Sequence, residues 1–292
     1  MTKGVLMFAH NNSEIDYFRM AVVNALLVKR HLGVPVCVVT DADTYKYAQE
    51  TLGDEIIDSA ISTIKIIDVI HVLARNNQRI YRDTIHKQKH LPFYNLNRCD
   101  AYDLSPFEQT LLIDTDYLIM SDTLSACWDN KNSFMMNYAW QDINFSRYLD
   151  LNFVSPASIT MYWATVVYFT RSEFSENFFT ICKHIKTNYD YYRGLYRWSE
   201  NILRNDYIFS IAGHMINGLE DRSIPQLPTT LYKTFDYDDI HSITSDSELI
   251  FYVEKADQPG EYILSKWSDN DIHVMNKWAL NRLGTELLEQ LT

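Results

Sequence analysis

The sequence predicts an α/β fold: a mixed, mainly parallel sheet flanked by helices, in a single domain. Three observations carry this reading. Gly4–Ala9 is a short apolar run that breaks into polar His10-Asn-Asn-Ser13, the pattern of a buried strand opening into a loop. Ser13 to Leu32 places apolar residues at helical spacing and stops at Gly33 and Pro35. The β-branched run Val36-Cys-Val-Val39 then restarts an extended chain that ends in Thr40-Asp41. Strand, helix and strand in this order form a βαβ unit with parallel strands.

The later elements follow the same logic. A mostly polar stretch with helical character is expected through the middle of the first hundred residues. Gln109–Ile113 is another buried-looking strand, ending in Asp114-Thr-Asp116. Further strands are expected in Ser133–Tyr138, Ile159–Thr170 and Leu249–Val253, and helices over Phe174–Tyr189, Trp198–Ile211 and Val274–Leu291. No internal repeat, low-complexity linker or domain boundary interrupts the chain.

Composition narrows the class. Of 292 residues 47% are apolar, with twenty Tyr, six Trp and only eight Gly and seven Pro, which supports a sizeable core and argues against long disordered tracts. The net charge of −12 disfavours non-specific binding of polyanions. The charge is uneven, however. Between Lys65 and Arg98 seven cations (Lys65, Arg75, Arg79, Arg82, Lys87, Lys89, Arg98) face two aspartates (Asp68, Asp83), a local surplus that suits a phosphate-bearing ligand or a solvated face. No apolar run approaches the ~18 residues of a membrane span, and the N-terminus lacks the pattern of a signal peptide. Four scattered cysteines (Cys37, Cys99, Cys127, Cys182) have no metal-type spacing and fit a reducing cytoplasm.

The strongest chemical signal is Leu111-Leu-Ile-Asp114-Thr-Asp116. Two carboxylates two residues apart leave a buried strand at its C-terminal end, where open α/β sheets place their ligands. Carboxylate oxygens suit Mg²⁺ and Mn²⁺, which pair with substrate phosphates; an Asx-turn capping the strand is the bland alternative. Far downstream, Asp271-Ile-His273-Val-Met-Asn-Lys277-Trp278 offers an imidazole for a transition metal and an ammonium for a phosphate oxygen. Their spacing of four places His273 and Lys277 on one face if the segment is helical.

Together these two segments resemble the GT-A glycosyltransferases, in particular the retaining, glycogenin-like family eight. The resemblance implies that Asp114, Asp116 and His273 hold Mn²⁺ (or Mg²⁺), and that Lys277, followed by Trp278, contacts the donor diphosphate. The Gly and Pro that flank this Lys in the family are absent here. By the same resemblance Ala9, Asn11 and Asn12 lie where the nucleotide base and ribose bind, with Asp41 assisting, although a turn explains the asparagines equally well. Arg98, Thr115 and, more weakly, Lys87 would reach the phosphates or ribose. Trp163 and Thr165 would line the sugar and acceptor pocket, with Tyr168 and Phe169 left to the core. Asn205 and Asp206 resemble the pair beside the transferring sugar, and Asp206 also suits a helix start. Residues 1–120 would form the nucleotide-sugar half of the 1–292 domain, and 121–292 the acceptor half.

The resemblance implies a glycosyltransferase that moves a sugar from a nucleoside-diphosphate donor, UDP-linked, to an acceptor hydroxyl with retention. Saccharides, metabolites and hydroxymethylated DNA bases are the acceptors considered, and no membrane partner is expected. The DNA reading follows a similarity of Ser105-Pro-Phe…Thr-Leu-Leu-Ile-Asp-Thr-Asp-Tyr to glycosyltransferases of large tailed bacteriophages, which would place the protein in the host cytoplasm. It would use the Lys65–Arg98 patch with Lys183, Lys186, Arg193, Arg197 and Arg204 along the phosphates. Tyr191, Tyr192, Tyr196 and Trp198 would act against a flipped base. Two other classes compete: an inactive GT-A-fold binding module, and a nucleotidyltransferase, whose Gly-rich phosphate loop Ala9–Ser13 lacks.

Overall fold

A computed structural model describes the chain except for residues 69–76, 85, 145–149, 199–201, 246–247 and 256. The expected βαβ unit is present. Strand β1 (Lys3–Phe8) leads to helix α1 (Tyr17–His31) and strand β2 (Val36–Thr40). Asp16 caps α1 by accepting the Arg19 N–H at 3.0 Å, and Lys29, Arg30 and His31 complement the dipole in its last turn. Helices α2 (Ala42–Leu52) and α3 (Asp54–Ala60) follow, then β3 (Thr63–Ile66), a hairpin of β4 (Gln78–Thr84) and β5 (Lys87–Pro92), and the short α4 (Ala101–Leu104). The middle of the first hundred residues is therefore only partly helical.

Strand β6 (Gln109–Ile113) lies beside β1, and after it come β7 (Tyr117–Leu118), β8 (Phe134–Met136), β9 (Ala139–Asp142), β10 (Asp150–Leu151) and β11 (Val166–Thr170). Three helices, α5 (Glu173–Thr187), α6 (Tyr189–Leu195) and α7 (Asn205–Ile216), precede β12 (Leu231–Lys233), β13 (Asp239–Ser245), β14 (Glu248–Glu254), β15 (Tyr262–Ser268) and β16 (Ile272–His273). Helix α8 (Lys277–Leu291) closes the chain. The expected strand over Ile159–Thr170 is confined to Val166–Thr170, and the helix expected from Trp198 begins at Asn205, with 199–201 outside the described residues.

The central sheet runs β3-β2-β1-β6-β11-β8. Its first four strands are parallel, whereas β11 runs antiparallel to both β6 and β8. Core-facing positions are filled without interruption: Val5–Phe8, Val36–Val39 and Leu111–Ile113 are all buried, as a sheet covered on both faces requires. Gly4, second in β1, has the Phe107 ring against it, and a Cβ there would come within 2.5 Å of ring carbon. Tyr168 and Phe169 are core residues, as expected.

Because β3 and β2 lie on one side of β1 and β6 on the other, the strand order reverses between β1 and β6. At such a switch point the connections diverge and leave a crevice at the carboxyl ends of the strands. Ala9, Asp41 and Asp114 all follow parallel strands at this edge. A second sheet, β10-β9-β12-β16-β7, starts where the first stops. The turn Asp114-Thr115-Asp116 joins β6 of one sheet to β7 of the other, and β16 pairs antiparallel with β7, setting His273 opposite Tyr117. Sheet pairing is thus what brings the late His beside the early aspartates.

Candidate functional site

Asp114, Asp116 and His273 each offer one ligand atom, and these atoms lie within 4.8 Å of one another, a cluster able to hold a metal ion. Several buried polar contacts fix it. Asn24 of α1 donates to the Tyr117 carbonyl at 2.7 Å and accepts the Ile119 N–H at 3.1 Å. Asp271 accepts the N–H groups of Met120 and Ser121, each at 2.9 Å, and burial pushes its carboxyl up to about 6. The Val274 N–H donates to the Asp116 carbonyl at 2.9 Å. Thr165 Oγ1 lies 3.3 Å from His273 Nδ1, so the other ring nitrogen, Nε2, is the one that faces Asp116 at 3.4 Å. A second-sphere contact of this kind orients a ligating imidazole.

Two cations back the carboxylates. Lys277 Nζ lies 2.6 Å from Asp116 Oδ2, and the fully buried Arg98 pairs with Asp114 and donates to the Ala164 carbonyl. The two aspartates differ in consequence. Burial pushes Asp114 up, opposed by Arg98 and reinforced by Asp116, and the net shift is upward. Burial also acts on Asp116, but Lys277 and His273 outweigh it and hold that carboxyl far below its ordinary range. A divalent cation among the three would favour both carboxylates in the ionised form. The donor set of two carboxylates and one imidazole, with an open side toward a cavity, fits Mn²⁺ or Mg²⁺.

His273 and Lys277 do not share a helical face as their spacing suggested. His273 sits on β16, and Asn276 caps α8 by accepting the Ala279 N–H at 3.1 Å, so Lys277 opens the helix. Both nevertheless reach Asp116, one through sheet pairing and the other from the first turn of α8.

The cluster lines a cavity of about 690 Å³, the size of a substrate site. Arg98, Thr115, Trp163, Thr165, Asn205 and Asp206 line it too, with Lys277. Asn205 donates to the Asn95 carbonyl at 3.1 Å. Asp206 accepts the Ala164 N–H at 3.0 Å and pairs with Arg204 at 2.9 Å. Burial raises the Asp206 carboxyl, yet Arg204, the Ala164 N–H and Arg79 together hold it below its ordinary value.

A smaller hollow of about 290 Å³ collects Asn11, Asn12, Asp41 and Tyr94, and Tyr94 also lines the larger cavity. These side chains carry structural bonds as well. Asn11 accepts the Phe18 N–H at 2.9 Å and donates to Asp16, while Asn12 accepts the N–H groups of Glu14 and Ile15 in an Asx-turn. Asp41 caps α2 through Thr44, and its carboxyl is lowered to about 2: burial opposes ionisation, and His10 and Thr44 more than offset it. Ala9 is fully buried at the end of β1. Lys87 is not among the lining residues; it pairs with Asp83 at 3.0 Å and lies 4.2 Å from the centre of the Trp278 ring.

The basic patch resolves into two populations. Arg79, Arg82 and Arg98 line the cavity, whereas Lys65, Lys87 and Lys89 do not, and Lys89 pairs with Glu14 at 2.6 Å. Arg75 lies outside the described residues. Of the hairpin residues, sequence reasoning singled out Lys87, which does not line the cavity, and not Arg79, Tyr81 and Arg82 of β4, which form part of its wall, as do His10 and Tyr17. The Tyr17 hydroxyl donates to that of Tyr81 at 3.1 Å. His10 is buried and joined to Asp41 at 2.9 Å. Its signal was available: a histidine directly after a buried strand at a switch point.

No protein-family model matches the chain, and no curated protein matches it. Solved structures do. The chain is similar to galactosyltransferase LgtC in complex with donor and acceptor sugar analogs, at 13% identity and a TM-score of 0.43, covering 80% of this chain and 73% of that one. It is similar to mouse xyloside xylosyltransferase 1 in its apo form, at 11% identity and TM-score 0.43, over 75% of this chain and 84% of that one. The glycosyltransferase GlyE of Streptococcus pneumoniae TIGR4 is similar at 10% identity and TM-score 0.40, over 77% of this chain and 45% of that longer one. Among the described residues no helix is long and apolar enough to cross a membrane, and all four cysteines are free and buried.

Proposed function

We propose that the chain is a metal-dependent GT-A glycosyltransferase that transfers a sugar from a UDP-linked donor to the hydroxyl of a small acceptor, with retention. The observation that carries this reading is the Asp114–Asp116–His273 cluster in a cavity at the strand-order reversal, flanked by Lys277 and Arg98. The resemblance of the two metal-binding segments to the glycogenin-like enzymes supports it.

Mn²⁺ (or Mg²⁺) bound there would supply Lewis-acid neutralisation of diphosphate charge. The chain's own residues do the rest. Lys277 sits where it can donate to a phosphate oxygen, and Arg98, fixed by Asp114 and the Ala164 carbonyl, adds fixed positive charge without reorganisation. Asp206, kept ionised by Arg204 and Arg79, accepts from sugar hydroxyls and orients the ring. In the transfer, the bond from the anomeric carbon to the diphosphate oxygen breaks and one to the acceptor oxygen forms on the same face. The acceptor proton passes to the departing phosphate oxygen, and the nucleoside diphosphate leaves. Residues 1–120 hold the donor in this scheme, and the later half holds the acceptor with the late metal-binding segment.

A DNA acceptor has less support. The cations proposed to track a backbone are divided: Arg79, Arg82, Arg98 and Arg204 face the cavity, and Lys183 pairs with Asp103. Of the aromatic set, Tyr192 and Trp198 are buried and Tyr191 is well exposed.

Calorimetric titration with UDP tests the donor half of the proposal. We expect binding with Mn²⁺ present and at least a tenfold loss after chelation, because without the ion the diphosphate would face the two carboxylates uncompensated. Equal affinity in both conditions would count against it.

A further inference from the structure

Three residues, Val274, Met275 and Asn276, join His273 at the end of β16 to Lys277 at the start of α8. Each is tied to a different part of the fold. The Val274 N–H donates to the Asp116 carbonyl at 2.9 Å, and the Met275 N–H donates to Thr234 Oγ1 at 2.9 Å. Asn276, wholly buried, is tied to hairpin β4–β5. Its Nδ2 donates to the Asp83 carbonyl at 3.1 Å, while its Oδ1 caps α8 through the Ala279 N–H. Asp83 is the extra residue where the hairpin ladder steps from Arg82–Gln88 to Thr84–Lys87. A bulge of this kind releases a backbone group from the ladder and re-aims the side chain beside it.

The Asp83 side chain holds α8 a second time. Both of its carboxylate oxygens accept from Arg282 Nη1, at 2.8 and 2.9 Å, and Oδ2 also accepts from Lys87 Nζ at 3.0 Å. Arg282 stands five residues after Lys277 on the same helix and reaches Asp239 with its other terminal nitrogen at 2.8 Å. The carboxylate is buried, and these charge-assisted bonds outweigh the burial that opposes ionisation, so its titration is held below the ordinary value. Asp83 does not line the cavity, whereas its neighbours Tyr81 and Arg82 do, and so does Lys277 at the metal–diphosphate pole. One buried residue therefore fastens the cavity wall to the helix that presents Lys277, at the cap just before it and at the next turn. Misplacing a contact group by about 1 Å can cost two orders of magnitude in binding or rate.

We propose that Asp83 is a positioning residue for the donor: through Asn276 and Arg282 it sets the first turn of α8 so that Lys277 meets the diphosphate. The proposal rests on the glycosyltransferase reading for the diphosphate, and on the hydrogen-bond geometry for the coupling. A residue that only held the hairpin in place would lower stability without acting through Lys277.

A double-mutant cycle separates these roles. UDP is titrated, with Mn²⁺ present, into the wild type, Lys277→Ala, Asp83→Asn, Arg282→Gln and Arg282→Lys. The Asp83→Asn and Arg282→Gln changes are also combined with Lys277→Ala, and thermal melts establish that each variant is folded. Lys277→Ala is expected to weaken UDP binding on the order of tenfold, and Asp83→Asn and Arg282→Gln by at least threefold. Arg282→Lys should recover part of that loss, and neither Asp83→Asn nor Arg282→Gln should add to the loss once Lys277 is gone. Arg282 is half-exposed, so its cycle carries the test if Asp83→Asn does not fold. Wild-type UDP affinity in Asp83→Asn and Arg282→Gln overturns the positioning role alone. Losses that add fully to that of Lys277→Ala show Asp83 acting independently of Lys277 and also overturn it. Unchanged affinity in Lys277→Ala removes Lys277 from the diphosphate, and the positioning role with it. Failure of UDP to bind the wild type with any divalent ion overturns the proposal together with the reading beneath it.

Discussion

Replacing Asp116 with Asn should abolish metal-dependent donor turnover, lowering it by a factor on the order of 10² or more. The substitution keeps the side-chain shape but removes the charge that faces His273 Nε2 and Lys277 Nζ. A neutral amide is a poor ligand for a hard cation and could present its NH₂ to either neighbour. Lys277 would also lose its partner at 2.6 Å, so the diphosphate pole is weakened twice. Mn²⁺ titration of the folded variant separates the two effects: the ion affinity should collapse even where thermal melting shows an intact fold. Full turnover in this variant would remove Asp116 from the site.

The largest stability effect is expected at Arg98. Its side chain is 1% exposed and ties Asp114, just after β6, to the Ala164 carbonyl, just before β11. Arg98→Ala would leave the Asp114 carboxylate without its partner, strand a buried carbonyl, and open a cavity as large as the side chain. Removing one member of a buried pair costs about 3–5 kcal/mol. Denaturant unfolding should show that loss, with Arg98→Lys recovering only part of it, because an ammonium cannot make both bonds in the guanidinium geometry. A change below about 1 kcal/mol would mean that Asp114 finds another partner.

The α/β class was legible because its signals are local. The buried runs of β1, β2 and β6 are continuous apolar segments bounded by turn residues, and α1 has both a cap and a stop. The Asp114–Asp116 pair was legible for the same reason, as carboxylates leaving a buried strand. Hairpin β4–β5 was not. Part of it walls a polar cavity, so Arg79, Tyr81 and Arg82 stand where an apolar stripe would otherwise announce a strand, and Lys87–His90 are exposed. His273 was found, but on the wrong element. A two-residue strand has no periodicity to read, and the four-residue step to Lys277 mimics a helix. What defines β16 is its pairing with β7 and β12, a long-range property that spacing does not encode. Arg98 was singled out as a cation for the phosphates or ribose, but its burial and its bonds to Asp114 and the Ala164 carbonyl were not legible, because they depend on distant segments closing around it.

The most direct test of the central claim is turnover of the donor itself. Incubating the protein with Mn²⁺ and a panel of nucleoside-diphosphate sugars, and following the products by mass spectrometry, should show slow hydrolysis of one donor that stops on adding a chelator and returns with Mn²⁺. That donor would name the sugar. If no donor is consumed with any divalent ion, and hydrolysis where seen is indifferent to chelation, the Asp114–Asp116–His273 cluster does not serve sugar transfer and the account is contradicted.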